Sequence, residues 1–402
     1  MSSVIFQRAK RISNVQVSDI VKMSEAARLR RAEGHDVIGL GIGEPDFRTP
    51  DHVNEAAIKA IRDGDTNYPP IAGKAPLRQA VADLYDGMAA ENVIVSSGSK
   101  YTLFNAFMAT LNEGDEVILP APYWTSYSDI VAICGGVPVT VETKAEDGFQ
   151  LDIDRLRAAM NEKTKWILIN SPSNPTGAVM TREVMTALGA LLEEFPNCWL
   201  MSDEIYEHLT YDAEFTSAFT QLAHLRERIL ITNGVSKAYA MTGWRVGYGI
   251  GPLELVKAMT AVQAQGTSGT CSIAQAAALA ALEGPQDYLA ERCASFRARR
   301  DLVLGYLHQM NGIITPTPEG AFYTFSSWQN LKGSVTPDGR ILESDHDFCS
   351  YILDAANVTV IPGTGFAAPG HFRISYASSV EELNTALSRM MDAVNLLKRR
   401  DA

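Results

Sequence analysis

Short apolar runs punctuate the first two thirds of the chain: Val93-Ile94-Val95, Glu116-Val117-Ile118-Leu119, Trp166-Ile167-Leu168-Ile169, Cys198-Trp199-Leu200-Met201, Ile229-Leu230-Ile231 and Val246-Gly247-Tyr248-Gly249-Ile250. They are too brief for helices and carry no regular polar alternation, which is how strands buried on both faces read. Helical patterns lie between them. After Val95 and the turn Ser96-Ser97-Gly98-Ser99-Lys100, apolar residues recur at Leu103, Phe104, Phe107, Met108 and Leu111, one face of a helix. From Thr181 to Phe195, Val184, Met185, Leu188, Leu191 and Leu192 form another such face, closed by Pro196-Asn197 before the next strand. Strand, helix, strand repeated in this way predicts an α/β fold on a largely parallel sheet.

The pattern changes near Pro285. A charged helical stretch through Arg292, Arg297, Arg299, Arg300 and Asp301 leads to Ile313-Ile314 and Phe322-Tyr323-Thr324-Phe325, the order of a smaller α+β domain. At the other end, an Arg-rich helix near Ser24 to Arg31 and a Gly-rich turn are expected to pack with that C-terminal part. The expected division is 1–45 as an N-terminal arm, 46–284 as a large domain and 285–402 as a small one. A chain of 402 residues has ample material for two such cores.

Composition narrows the function. The net charge of −12 opposes attraction to phosphate backbones or anionic lipid, so neither nucleic acid nor membrane is an expected partner. An anionic small molecule would need a local cluster of Arg and Lys to overcome that field. The five cysteines are widely spaced without a zinc-like pairing, so no metal is expected and the thiols read as buried or unreactive. The apolar stretch Val4-Ile5-Phe6 is too short for a signal sequence, which points to the cytoplasm.

The candidate chemistry gathers at strand ends. Ser236-Lys237 follows one strand, and a lysine partly buried there has the depressed pKa that a nucleophilic amine needs, although a loop lysine is the blander reading. Asp203-Glu204-Ile205-Tyr206 follows another, at the carboxyl edge where open α/β sheets bind ligands, although it also reads as a turn with a surface acid. Ser171-Pro172-Ser173-Asn174-Pro175-Thr176-Gly177 follows a third; its two X-Pro bonds predict an extended loop that aims the Asn174 amide. Gly98-Ser99-Lys100 opens a helix with backbone N–H groups suited to a phosphate, and Trp124 offers a face to a planar ring, although each alone also reads as an ordinary turn or a core tryptophan. Arg373, in the apolar run Phe372-Arg373-Ile374, needs either an internal acid or a ligand carboxylate. Gly41-Ile42-Gly43 lacks the third glycine of a dinucleotide fingerprint.

In combination and in this order, Gly41-Ile42-Gly43-Glu44-Pro45-Asp46-Phe47, Tyr68, Gly98-Ser99-Lys100, Pro122-Tyr123-Trp124, Asn174-Pro175-Thr176-Gly177, Asp203-Glu204-Ile205-Tyr206, Ser236-Lys237, Arg245 and Arg373 resemble the class I pyridoxal-phosphate aminotransferases of fold type I, in the bacterial aspartate aminotransferase branch. The resemblance covers nearly the whole chain. It implies a mostly parallel seven-stranded sheet in the large domain. It implies that Lys237 forms the Schiff base with pyridoxal 5'-phosphate and, once displaced, is the general base. It further implies that Asp203 pairs with the ring nitrogen, that Asn174 and Tyr206 bond the ring oxygen, and that Trp124 stacks on the ring. Gly98, Ser99, Lys100, Ser236 and Arg245 would line the cofactor's phosphate end, with Tyr68 arriving from the second subunit of a homodimer. Gly43, Lys100, Trp124, Asn174 and Arg373 would contact the amino acid or 2-oxo acid, Arg373 holding the α-carboxylate.

Aspartate:2-oxoglutarate transfer is the expected reaction, since the lysine matching Lys100 reads a dicarboxylate in that branch. Three positions depart from the pattern. Ser18-Asp19-Ile20 replaces a Ser-x-Thr at the substrate entrance and brings a carboxylate that would repel an acidic substrate; Pro69 stands where prephenate users carry threonine; Tyr101 replaces a glutamine. Aromatic or broad specificity, a C–S β-lyase and a non-catalytic cofactor-binding module are the competing readings.

Overall fold

The computed structural model describes residues 6–13, 15 and 17–399. Twelve strands occur in chain order: β1 (Ile38–Gly39), β2 (Val93–Ser96), β3 (Glu116–Ala121), β4 (Val137–Glu142), β5 (Thr164–Asn170), β6 (Trp199–Asp203), β7 (Ile229–Gly234), β8 (Gly247–Ile250), β9 (Tyr323–Ser327), β10 (Val358–Thr359), β11 (Ile361–Pro362) and β12 (His371–Ser375). Seven of them form one sheet in the order β2-β8-β7-β6-β5-β3-β4. Only β8 runs against its neighbours, so the other six strands end at the same edge.

The pleat explains why the apolar runs are continuous. Ile167 and Ile169 of β5 face one core while Trp166 and Leu168 face the other, and β7 divides Ile229 and Ile231 from Leu230 in the same way. Side chains on both faces are out of water. The edge strand β4, Val-Pro-Val-Thr-Val-Glu, was not visible in the apolar pattern: it has a neighbour on one side only and buries a single residue, Val141. Nor did the pattern reveal that β8 is antiparallel.

A third core surrounds the antiparallel sheet β11-β12-β9 and takes in Phe296, Val303 and Leu307 from the helix Asp287–Leu307. Met23, Ala27, Val37 and Leu40 of the N-terminal segment join it, and β1 pairs with β10. The N-terminal helix runs Asp19–Ala32, beginning upstream of the expected Ser24, with Ser18 extended at its N-cap position. Arg299 and Arg300 of the charged helical stretch are buried and bonded to Asp46 and to Asp212 and Asp301.

Candidate active site

At the common strand edge lies a cavity of about 490 Å³ whose lining includes Gly43, Lys100, Trp124, Asn174, Asp203, Tyr206, Ser236, Lys237, Arg245 and Arg373. Residues that are hundreds of positions apart in sequence meet because β5, β6 and β7 end side by side. Asp203 is the last residue of β6; Asn170 ends β5 and donates its amide to the Asp203 carbonyl at 2.8 Å; Lys237 follows β7 closely.

Lys237 donates from Nζ to the Gly43 carbonyl at 2.7 Å. Burial pushes its ammonium down to about 8; Glu44 and Asp203 oppose the shift, and Arg373 and Arg245 add to it. Asp203 is held by Tyr127 Oη at 2.6 Å and by the Ile205 N–H at 3.3 Å, yet burial still raises it to about 6. Tyr206 shares a hydrogen bond with Tyr323 at 2.9 Å.

The Ser171–Gly177 loop differs from expectation. Ser171-Pro172 and Asn174-Pro175 are both cis, as is Ala121-Pro122, and instead of extending the loop folds back, with Gly177 N–H on the Ser173 carbonyl at 2.9 Å. The turn is compact because Gly177 adopts φ +69° and a Cβ there would lie 2.4 Å from Pro318. Its effect on Asn174 remains a fixed aim: the backbone N–H is bound by Asn170 at 2.7 Å, and Oδ1 accepts from Arg373 Nη1 at 2.8 Å.

Arg373 is 1% exposed. Its Nη2 donates to the Gly41 carbonyl at 2.6 Å, its guanidinium lies 4.5 Å from the centre of the Tyr323 ring, and Nε has no partner. Among the described residues no carboxylate pairs with it. A guanidinium stays charged even though burial pulls its pKa down, so a buried one without an acid is an open invitation to an anion.

Arg245, also in the cavity lining, sits in the left-handed region at φ 58°, held by the Thr242 carbonyl at 2.8 Å. Gly98, at φ +89°, lies so close that a Cβ would come within 2.4 Å of Arg245 Nη2. Ser99 Oγ donates to the Asn233 carbonyl at 3.0 Å, and a Cβ on Gly247 of β8 would lie 2.2 Å from the Ser99 nitrogen. The glycine therefore lets the helix Ser99–Thr110 seat its N-terminus against the sheet, with Ser99, Ser236 and Arg245 around it. Helix N–H groups, hydroxyls and a guanidinium suit a phosphate. With a buried carboxylate for a pyridinium and a lysine of lowered pKa for an aldehyde, the donor set fits pyridoxal phosphate.

Lys100 Nζ lies 4.5 Å from the Trp124 ring centre, and burial and Arg245 lower its pKa while Asp129 opposes. Tyr68 is not in this cavity. It is 91% exposed and borders a separate hollow of about 400 Å³ with Pro69 and Ser268. Asp19 does not line the cavity either: its carboxylate binds Lys22 at 3.0 Å and faces His346 at 3.4 Å, while Ile20 reaches the lip. Asp19 thus does not present its carboxylate to the cavity in the way the sequence suggested. Of the cysteines, Cys134, Cys198 and Cys349 are buried, Cys293 is half-buried and Cys271 is exposed.

Sequence reading missed Tyr127, Tyr323, Asn170 and Gly247. Tyr127 lies three residues beyond Trp124, in the first turn of the helix Ser126–Ile133.

A family model described as aminotransferase class I and II matches residues 35–390. An aspartate aminotransferase of Rhizobium meliloti (strain 1021) is 49% identical over 398 residues, covering 98% of this chain and 97% of the relative. An aspartate/prephenate aminotransferase of Cereibacter sphaeroides (strain ATCC 17029 / ATH 2.4.9) is 45% identical over 385 residues, covering 94% and 96%. Among solved structures, the Rhizobium meliloti aspartate aminotransferase superposes with a TM-score of 0.95 at 48% identity, covering 98% of this chain and all of that one. The Thermus thermophilus aspartate aminotransferase with maleate gives 0.90 at 41%, covering 97% of this chain and all of that one.

Proposed function

The chain belongs to the class I and II aminotransferases, enzymes that use pyridoxal phosphate, and from that premise we propose that it transfers the amino group of aspartate to 2-oxoglutarate. One observation carries the choice of a dicarboxylate. In a chain of net charge −12, a single cavity collects Lys100, Lys237, Arg245 and Arg373, none of which makes an ion pair among the described residues. Arg245 serves the cofactor phosphate and Lys237 the aldehyde. Arg373 and Lys100 are left for two carboxylates. The dicarboxylate maleate in the Thermus thermophilus structure is in keeping with this.

Bound at Lys237, the cofactor supplies an electron sink for the carbanion at the substrate Cα. Asp203 keeps the ring nitrogen protonated, and Tyr127 holds Asp203 in place. Tyr206 and Asn174 would hold the ring oxygen, and Trp124 would lie over the ring; all three line the cavity. Arg373 would grip the α-carboxylate and fix which Cα bond faces Lys237, whose neutral amine would take the proton from Cα and deliver it to the C4' carbon of the cofactor.

Two copies are proposed to complete each other's sites by exchanging Tyr68, an exposed aromatic that a lone chain leaves beside an open hollow. The arm 1–45, large domain 46–284 and small domain 285–402 are proposed as the working parts. No helix among the described residues is long and apolar enough to cross a membrane, and the cysteines are free, in keeping with a cytoplasmic enzyme.

A steady-state comparison of amino donors tests the substrate choice. Aspartate and glutamate are expected to exceed aromatic and sulfur donors in kcat/KM. Lys100→Met should lower the preference for aspartate over phenylalanine by roughly 10- to 100-fold, the worth of one charge-assisted bond. A strong preference for aromatic or sulfur donors, or ammonia and pyruvate released from cystathionine, would overturn it.

A further inference from the structure

We propose that Arg292 is a positioning residue that sets the lysine-bearing turn against the helix Asp287–Leu307. Arg292, Phe296 and Arg299 sit at i, i+4 and i+7 of the helix Asp287–Leu307 and so share one face. All three meet Phe47: the Arg292 and Arg299 guanidinium carbons lie 5.1 and 5.2 Å from its ring centre, and the Phe296 ring meets it edge-on at 5.3 Å.

Arg299 has an acid, Asp46, at 2.7 Å. Arg292 has none among the described residues. Its two terminal nitrogens instead go to backbone carbonyls of two distant segments: Nη1 to Ala238 at 2.8 Å and Nη2 to Arg48 at 2.7 Å. A planar fork bound to two carbonyls fixes their separation, which a single ammonium cannot do.

Both segments belong to Lys237. Ala238 is its neighbour in the chain, and the segment that carries Arg48 begins at Gly43, whose carbonyl holds the Lys237 ammonium. One helix face thus references the lysine's backbone through Arg292 and the acceptor of its amine through Phe47. The turn needs such a hold. Ala240 adopts φ 55°, a conformation that disfavours a side chain, and the turn's internal bonds are Ala240 N–H to Lys237 and Met241 N–H to Ser236, both at 3.1 Å. Thr49 Oγ1 donates to the Ala240 carbonyl at 2.8 Å.

This inference deepens the proposed function and rests on it for its catalytic consequence, whereas its structural content is read without cofactor. Hydrogen exchange of the cofactor-free parent, Arg292→Met and Arg292→Lys would follow peptides spanning 236–244 and 44–50. Methionine keeps an apolar stem on Phe47 and loses the fork; lysine keeps the charge and reaches one carbonyl. Exchange in both segments is expected to quicken at least about tenfold in Arg292→Met and less in Arg292→Lys, with β5 and β6 unchanged. In the loaded enzymes the midpoint of the pH titration of the visible cofactor band should move in the same order. Parent-like exchange in both variants, or acceleration spread evenly over the chain, would overturn the proposal. Should Arg292→Met not fold, Arg292→Lys decides alone: selective loosening supports it and parent-like exchange refutes it. A parent enzyme inert towards all amino acids would refute the proposed function and leave the exchange result standing.

Discussion

Replacing Lys237 with methionine is expected to abolish transamination, by at least about four orders of magnitude, while making the cofactor-free protein more stable at neutral pH. The first half follows from two losses at once, the covalent hold on the cofactor and the base at Cα, of which positioned proton transfer alone is worth about 10²–10⁴. The second half follows from the lysine's pKa. Burial lowers it from 10.5 to about 8, so below 8 the folded protein carries a buried ammonium that the unfolded chain keeps in water. Between 8 and 10.5 the unfolded chain binds the extra proton, and the parent's stability rises with pH. The methionine variant should therefore lead by roughly 1–3 kcal/mol at pH 7 and lose that lead towards pH 10.5. Urea unfolding of both apoproteins at pH 7 and pH 10 measures it; a variant less stable than the parent at pH 7 would mean that the Gly43 bond outweighs the burial.

Arg373→Leu is expected to lower kcat/KM for aspartate by roughly 30- to several-thousand-fold, the 2–5 kcal/mol typical of breaking a buried charge-assisted contact. The leucine also strips the donors from Asn174 Oδ1 and the Gly41 carbonyl, so part of the loss is a disordered Asn174. Single-turnover kinetics separate the two effects: the loss of the α-carboxylate grip appears in the concentration of aspartate needed for half-saturation. Saturation at the parent's concentration would remove Arg373 from the substrate site.

The sequence exposed those parts of the molecule in which one residue type is hard to explain otherwise. Central strands announced themselves because both faces are apolar, and Arg373 because a cation in a strand of apolar neighbours needs an anion. The edge strand β4 stayed hidden because half-exposed residues carry no such signature. Tyr127 and Tyr323 stayed hidden for the opposite reason. Each sits among apolar residues that any core would hold, and only the folded arrangement shows its hydroxyl on Asp203 or Tyr206. The prolines around Asn174 marked a constrained loop without revealing its isomers, since both forms restrict the chain. Asp19 misled because sequence position near an entrance says nothing about side-chain direction, which Lys22 and His346 decide.

The most direct test of the account is a visible absorption spectrum of the purified, cofactor-loaded protein as aspartate and then 2-oxoglutarate are added. The band of the lysine-bound cofactor is expected to disappear with aspartate and return with 2-oxoglutarate, one cycle of amino transfer seen in two halves. A band that aspartate leaves unmoved, or no band at all after reconstitution, would contradict it.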